Sequence, residues 1–152
     1  SRGLGDVYKR QIDPSARGKR RVTAPVEFLS IYPTVCDLAG MAKPANLDGE
    51  SLARIVKGEK NAKVIKPYAA SQYPRVGKMG YSLRDSRYRY TVWVDWRNRK
   101  LDVEKILGEE LYDYEKDPNE TVNVAGDPQY AAALKQMKEY WGEYKKVRID
   151  GM

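Results

Sequence analysis

The chain has 152 residues, of which 32% are charged and 41% hydrophobic, a composition typical of one folded domain. One cysteine and no histidine exclude an internal disulfide, a multi-cysteine zinc site and a histidine-based catalytic triad within this chain. It has no apolar run of about twenty residues, so no segment is predicted to span a membrane. Its N-terminus shows no apolar core typical of a signal peptide.

The net charge of +7 is concentrated at the N-terminus. Residues 1–21 hold seven Lys or Arg against two Asp, whereas residues 22–152 hold twenty-one against nineteen acidic residues. A basic N-terminal segment of this kind usually stays solvated. The folded body is therefore nearly neutral, and we expect no nucleic-acid partner.

The N-terminal residues 1–11 have no periodicity and no continuity of pattern with the rest of the chain. We interpret them as a sequence artefact, with a disordered tail as the alternative. A helix capped by Thr23 is then predicted to start near Pro25 and to end at Gly40, with hydrophobic residues at three- and four-residue spacing and with Pro33 kinking it or beginning its second half. Cys36 lies just off that stripe. It is interpreted as a small packing residue, because the nucleophilic alternative has no basic partner nearby.

The stretch from Gln72 to Trp96 carries the strongest strand signal. Residues 88–96 alternate between an apolar face and a face of guanidinium and aromatic groups, and a shorter strand, 80–84, precedes them. Residues 68–71 are predicted as a strand that leads into a loop over 72–75. Residues 97–108 are predicted as a loop with a frayed helical turn, and residues 110–114 as another strand.

A final helix is predicted after Asp127, which caps it, and Pro128, which opens it. Its apolar stripe is expected to lie on the apolar face of the sheet: Tyr130, Leu134, Met137, Trp141 and Tyr144. The predicted fold class is α+β, with a small antiparallel sheet of three to four strands packed by a C-terminal helix, and an N-terminal helix beside it.

Several segments, in consistent order, resemble the C-terminal part of a sulfatase of the formylglycine-dependent, alkaline-phosphatase-like superfamily. Three of them are Val26–Gly40, with its Pro-Thr and Asp-Leu-Ala-Gly, Leu47–Leu52, with its Gly-x-Ser-Leu turn, and Glu110–Asn123, with its Glu-Leu-Tyr-Asp and Asp-Pro-x-Glu. Within that family, residues 71–75, 79–84 and 88–93 resemble the iduronate-2-sulfatase branch and its bacterial relatives.

The resemblance implies hydrolysis of sulfate esters on glycosaminoglycan-type sugars. It also implies a formylglycine, made from a Cys/Ser-x-Pro-x-Arg motif, and a calcium ion. No such motif is present, since Asp-Leu-Ala follows Cys36, and the family's metal ligands lie upstream. We therefore assign no catalytic and no metal-binding residue here, and we expect this fragment to be inactive alone. The family's bacterial members imply a periplasmic or extracellular location.

The resemblance also implies a domain organisation. Residues 12–66 are expected to be the tail end of a missing N-terminal α/β catalytic domain together with a connector, so that the N-terminal helix belongs to the edge of that domain. Residues 67–152 are expected to form the C-terminal subdomain, which lines one edge of the substrate cleft.

Arginine binds sulfate and carboxylate groups through a planar fork, and aromatic faces stack on sugars. We therefore predict Gln72, Tyr73 and Arg75 as substrate-binding residues. Tyr81, Arg84 and Trp93 are second choices. The alternative for Arg84 and its neighbours Arg87 and Arg89 is ordinary ion pairing with Asp85, Asp95, Glu109 or Glu110. Arg84 has a further alternative, which is to fix the interface between subdomains.

Two other functions remain open from the sequence. Basic and aromatic residues on an antiparallel sheet are also typical of RNA-binding modules, although most stacking-type aromatic residues here fall on the apolar face. A purely structural subdomain that supports the catalytic domain would need no substrate contact.

Overall fold

The computed structural model describes residue 14 and residues 21–64 and 66–149. The interpretation of residues 1–11 as an artefact falls outside these residues. The described residues divide into two compact units, one that includes residues 21–22 and 28–64 and the other of residues 23–27 and 66–149. The assignment of residues 12–66 to a catalytic domain and connector stays a prediction. In the part of the chain that is described, no helix is long and apolar enough to cross a membrane.

The first unit contains two short helices, α1 (Ile31–Leu38) and α2 (Ala53–Val56), with a 3₁₀ turn over Phe28–Ser30 before α1. The predicted helix start near Pro25 with a Thr23 cap is wrong, since α1 begins at Ile31 and follows the 3₁₀ turn directly. Pro33 lies in the first turn of α1, where its missing N–H is not needed, so it opens the helix rather than kinking it. The Thr34 hydroxyl donates to the Ser30 carbonyl oxygen and accepts from the Leu52 amide at 2.8 Å. This hydroxyl therefore ties the chain before α2 to α1.

The second unit is a four-stranded antiparallel meander, confirming the predicted fold class. Its strands are β1 (Ala69–Arg75), β2 (Lys78–Arg84), β3 (Tyr88–Arg97) and β4 (Lys100–Asp113), in the spatial order β1-β2-β3-β4. A 3₁₀ turn over Pro128–Tyr130 and the helix α3 (Ala131–Arg148) follow. Asp127 caps the 3₁₀ turn as predicted, because its carboxylate accepts from the Gln129 amide at 2.9 Å.

Two segments predicted as loops are strands. Residues 72–75 complete β1, and their turn is Val76-Gly77. Residues 100–108 form the first part of β4, which is mostly exposed. Polar and apolar residues alternate from Lys100 to Glu104, but the pattern breaks at Lys105, where the pairing with β3 is irregular. The preceding turn, Asn98-Arg99, has φ angles of 53° and 61°, as expected for a tight two-residue hairpin.

The core lies between the sheet and α3. Leu83, Tyr90, Leu111 and Met137 are completely buried there. The predicted apolar face of β3 and the stripe of the last helix are confirmed as packing residues. We define this side as the core face of the sheet and the opposite side as the outer face.

The loop between β4 and α3 is held by the side chains of the Asp-Pro-x-Glu motif and the asparagine after it. The Asp117 carboxylate accepts from the Val122 amide at 2.8 Å. The Asn123 side chain accepts from the Leu111 amide at 2.9 Å and donates to the Glu109 carbonyl at 3.1 Å. These hydrogen bonds hold the loop against β4. The Asp-Pro-x-Glu motif and Asn123 therefore have a structural role in this fold.

Candidate functional site: the outer face of the sheet

The outer face is defined by the strand register, because directly paired residues of antiparallel strands point to the same side. Tyr73 pairs with Gly80, and Gly80 pairs with Trp93. Arg75 pairs with Lys78, and Arg84 with Arg89. One face therefore carries aromatic rings, guanidinium groups and an ammonium group from three adjacent strands.

Trp93 lies flat across the backbone of β2. A Cβ atom placed on Gly80 would lie 2.7 Å from Cζ3 of the indole, closer than any real contact, so only glycine permits this packing. At the other end of the ring, Nε1 donates to the Glu110 carboxylate at 2.8 Å. The indole is therefore held in one orientation by contacts on both sides. A side chain held in this way can position another group that packs against it.

Two cations lie against this indole. The Arg75 guanidinium is 5.2 Å from the Trp93 ring and 5.9 Å from the Tyr73 ring, and the Lys78 ammonium is 4.6 Å from the Trp93 ring. Neither cation has a carboxylate partner among the described residues, and Tyr73 is 63% exposed. We call this group the Trp93 cluster: Tyr73, Arg75, Lys78, Trp93 and Glu110. Its chemistry suits an oxyanion attached to a sugar ring.

Gln72 and Tyr81 lie apart from this cluster. Gln72 pairs with Tyr81, which places both on the core face, although Gln72 is exposed at the edge. Tyr81 is 3% exposed, and its ring centroid lies 5.0 Å from that of Trp141. Burial raises the pKa of Tyr81. The predicted contact of Tyr81 with a substrate does not agree with this position, because α3 covers the ring.

Arg84 and Arg89 form a second group at the other end of the outer face. The Arg84 guanidinium stacks 3.5 Å from the Tyr114 ring, and burial lowers the pKa of Arg84. Arg89 pairs with Glu120, which also accepts from the Tyr114 hydroxyl and adopts a left-handed φ of 56°. Arg84 Nη1 and Arg89 Nε are buried without a hydrogen-bond partner. Arg84 is thus held by stacking, and its role at an interface stays a prediction.

Arg87 forms ion pairs with carboxylates other than those predicted. It holds Asp113 through two hydrogen bonds of 2.9 and 2.7 Å and also pairs with Glu115 at 2.8 Å. Ion pairing is therefore the confirmed alternative for Arg87, and likewise for Arg89. The partners lie more than twenty residues further along the chain, which no local pattern could indicate.

A groove at the end of the sheet was missed by sequence reasoning. It joins the tips of the β1–β2 and β3–β4 hairpins and has an open volume of about 940 Å³. We call it the turn-tip groove, lined by Tyr73, Pro74, Arg75, Val76, Gly77, Lys78, Trp96, Asn98 and Arg99. The basic residues in and beside the two predicted loops were the available sequence signal, but the register between strands decides whether the two hairpin tips lie side by side.

Nothing in the described part of the chain fits a calcium ion or a formylglycine. No group of three or more His, Cys, Asp or Glu side chains is placed to hold a metal ion in residues 21–64 and 66–149. Cys36 is buried, and the residues after it do not form a Cys/Ser-x-Pro-x-Arg motif. No catalytic step is derived for this chain.

The comparison that decides the family is a match to the model of the N-sulphoglucosamine sulphohydrolase C-terminal domain. It covers residues 8–147, most of the chain. The chain belongs to this family of sulfatase C-terminal domains. The resemblance of its motifs to sulfatases is confirmed.

The relatives of this sulfatase domain are larger proteins. A Δ4,5-hexuronate-2-O-sulfatase of Bacteroides thetaiotaomicron is 39% identical over 120 residues, covering 76% of the chain and 23% of the relative. An iduronate 2-sulfatase of Mus musculus is 26% identical over 172 residues, covering 86% and 31%. A solved 2-O GAG sulfatase superposes with a TM-score of 0.61 at 36% identity, covering 77% and 24%. The chain thus spans between about a quarter and a third of these proteins.

Proposed function

We propose that this chain is the C-terminal part of a sulfatase that hydrolyses sulfate esters of sulfated sugars, with a hexuronate 2-O-sulfate as the substrate class. The observation that carries the proposal is the 39% identity to a hexuronate 2-O-sulfatase across 76% of the chain. The iduronate 2-sulfatase relative is consistent with the same substrate class.

The Trp93 cluster gives this sulfatase domain a part in substrate binding. A 2-O-sulfated uronate carries a sulfate and a carboxylate, and Arg75 can bind either group through two parallel hydrogen bonds. Tyr73 and Trp93 offer ring faces to the apolar side of a sugar. We propose Tyr73 and Arg75 as the substrate-contacting residues and Trp93 as the residue that positions Arg75.

The other predicted residues have different places in this proposal. Gln72 lies on the opposite side of β1 from Tyr73 and Arg75, so its contact would be with a group that reaches around the sheet edge. Arg84 is held against Tyr114 and contributes charge to the outer face. Tyr81 is left out because α3 covers it.

The chemistry of sulfate hydrolysis is proposed to lie in an N-terminal catalytic domain that this chain does not include. The formylglycine nucleophile and the calcium ion belong there, since the described residues fit neither. A bound metal ion of this kind would stabilise charge that develops on the sulfate oxygens. We propose a periplasmic or extracellular location for a bacterial protein of this kind, and no sulfatase turnover by the 152 residues alone.

The proposal is tested with the full-length protein and an unsaturated 2-O-sulfated uronate disaccharide. We expect release of inorganic sulfate by the wild type. Arg75→Gln is expected to lower kcat/KM about tenfold or more, the size of one lost charge-assisted contact, with an unchanged melting temperature. Arg54→Gln is the matched control, since Arg54 is an exposed arginine of the first unit.

Three outcomes would contradict the proposal. Absence of turnover on every sulfated uronate tested would remove the assigned activity. Equal losses of turnover and melting temperature in the Arg75 variant would instead support a purely structural subdomain. Turnover by the isolated 152 residues would show that the catalytic groups lie in this chain.

A further inference from the structure

The two hairpin tips that form the turn-tip groove are joined to each other. The Trp96 amide, near the end of β3, donates to the carbonyl oxygen of Gly77 in the β1–β2 turn at 3.1 Å. Gly77 has a φ of 75°, and both residues of the Asn98-Arg99 turn are left-handed. The basic side chains of two separate turns are therefore held beside one common space.

This end of the sheet has a strong excess of positive charge. Residues 73–78 and 96–100 contain five basic residues and no acidic one. Arg97 is paired with Asp95 at 3.0 Å. The other four, Arg75, Lys78, Arg99 and Lys100, have no carboxylate partner within residues 21–64 and 66–149. Clustered like charges repel each other, so an unpaired group of this kind favours an anionic ligand.

The shape of the groove suits a ligand larger than one sulfate ion. Its volume is about 940 Å³, and it is shallow and largely open to solvent. Tyr73 contributes an exposed ring, and Arg75, Lys78 and Arg99 line the groove with it. Several cations beside an aromatic ring match a chain of sugar units that carry sulfate or carboxylate groups.

We propose that the turn-tip groove binds the oxyanion groups of sugar units beyond the one that is hydrolysed, so that the ligand is a sulfated oligosaccharide. This inference rests on the proposed function, since it extends the Trp93 cluster through the shared residues Tyr73, Arg75 and Lys78. Arg99 is the lining cation that lies outside the Trp93 cluster. A nucleic acid is the competing polyanion, and the family membership favours the glycan.

The test measures binding of a size-defined heparin hexasaccharide to the full-length protein at several salt concentrations. The double variant Lys78→Gln, Arg99→Gln is expected to weaken binding about five- to twentyfold and to reduce the salt dependence. The matched control is Lys135→Gln, Lys146→Gln, which removes the same charge from exposed positions of α3. The control is expected to change the affinity less than about twofold.

Each outcome of this test either supports or contradicts the proposed binding of a sulfated oligosaccharide in the turn-tip groove. An equal loss in the groove and control variants, or no loss in either, would overturn it, as would equal binding of a desulfated hexasaccharide. Tighter binding of a single-stranded RNA hexamer than of the hexasaccharide would assign the groove to nucleic acid and also overturn it. Turnover of the disaccharide is measured separately, so failure of the sulfatase activity and failure of the groove give different results.

Discussion

The two faces of the same four strands differ in what holds their side chains. On the core face, Leu83, Tyr90 and Leu111 are fully buried beneath α3. On the outer face, Tyr73 and Arg75 are exposed, and Trp93 lies between cations and a carboxylate. Since successive residues of a strand alternate between these faces, neighbours in sequence have opposite roles. The core face determines stability, and the outer face carries the chemistry available to a ligand.

The largest effect is expected on the core face from Leu83→Ala. Leu83 is completely buried, so truncation removes apolar contacts and leaves a cavity, with an expected loss of about 2–5 kcal/mol in the free energy of unfolding. Chemical denaturation measures this loss. A loss below about 1 kcal/mol would show that the core face is not the main source of stability.

Asp113 is a charged exception on the core side, and its removal is expected to have the next largest effect. Its carboxylate is almost fully buried, and the hydrogen bonds from Arg87 hold its pKa below the ordinary value. Asp113→Asn leaves the Arg87 charge without its main partner and is expected to cost about 2–4 kcal/mol, toward the lower end because Arg87 is partly exposed.

The same carboxylate predicts a pH dependence. Because its pKa is lower in the folded state, its stabilising contribution is complete above the unfolded-state pKa of about 4 and is lost as pH falls through the lower folded-state value. Urea denaturation from pH 7 to 2 should therefore show a weaker acid dependence in Asp113→Asn than in the wild type. Identical slopes would contradict the assigned pKa direction.

A smaller loss of stability is expected on the outer face, where the Trp93 indole packs closely on the backbone of β2 at Gly80. Gly80→Ala places a Cβ atom against the Trp93 indole, which must move, at an expected cost of about 1–3 kcal/mol. The indole N–H signal of Trp93 in NMR should shift as its bond to Glu110 is displaced. Gly142→Ala is the control, because Gly142 has open space around its Cα and lies in α3. An unchanged Trp93 signal would contradict the close packing.

The smallest effect on stability is expected from Tyr73→Ala. Tyr73 is 63% exposed on an edge strand, so the change in the free energy of unfolding should stay within about 0.5 kcal/mol. Thermal unfolding compares this variant with Tyr90→Ala. Because the Tyr90 side chain is fully buried, Tyr90→Ala should lower the free energy of unfolding several times more. Similar losses at both tyrosines would erase the distinction between the faces.

The sequence predicts the parts of the fold that bury alternating residues. The pattern from Tyr88 to Trp96 and the stripe of the last helix are both confirmed in the core. The first half of β4 was missed although residues 100–104 alternate, because the irregular pairing with β3 breaks the pattern over the following residues. Residues 72–75 were missed as a strand because they form an exposed edge that contains Pro74.

The site was predictable in composition but not in arrangement. Arginine and aromatic residues in the 72–96 stretch indicated the right chemistry. The separation of Gln72 from Tyr73 arises because residues 72–75 form a strand and not the predicted loop. The closeness of Gly80 to Trp93 depends on the register between β2 and β3, which the sequence pattern does not give. The turn-tip groove depends on two turns about twenty residues apart, so only the folded sheet brings their cations together.

The position of β1 at the edge of the sheet has a consequence for self-association. A free edge offers unpaired amides to a strand from another molecule and can lead to aggregation. Here the Ala70 amide donates to the Glu27 carboxylate at 2.8 Å, Pro74 has no amide proton, and Arg75 adds charge. These three features interrupt the row of backbone groups along the free edge of β1 that another strand could pair with. The residues proposed to meet a glycan thus lie on a strand whose edge is protected against pairing with another copy.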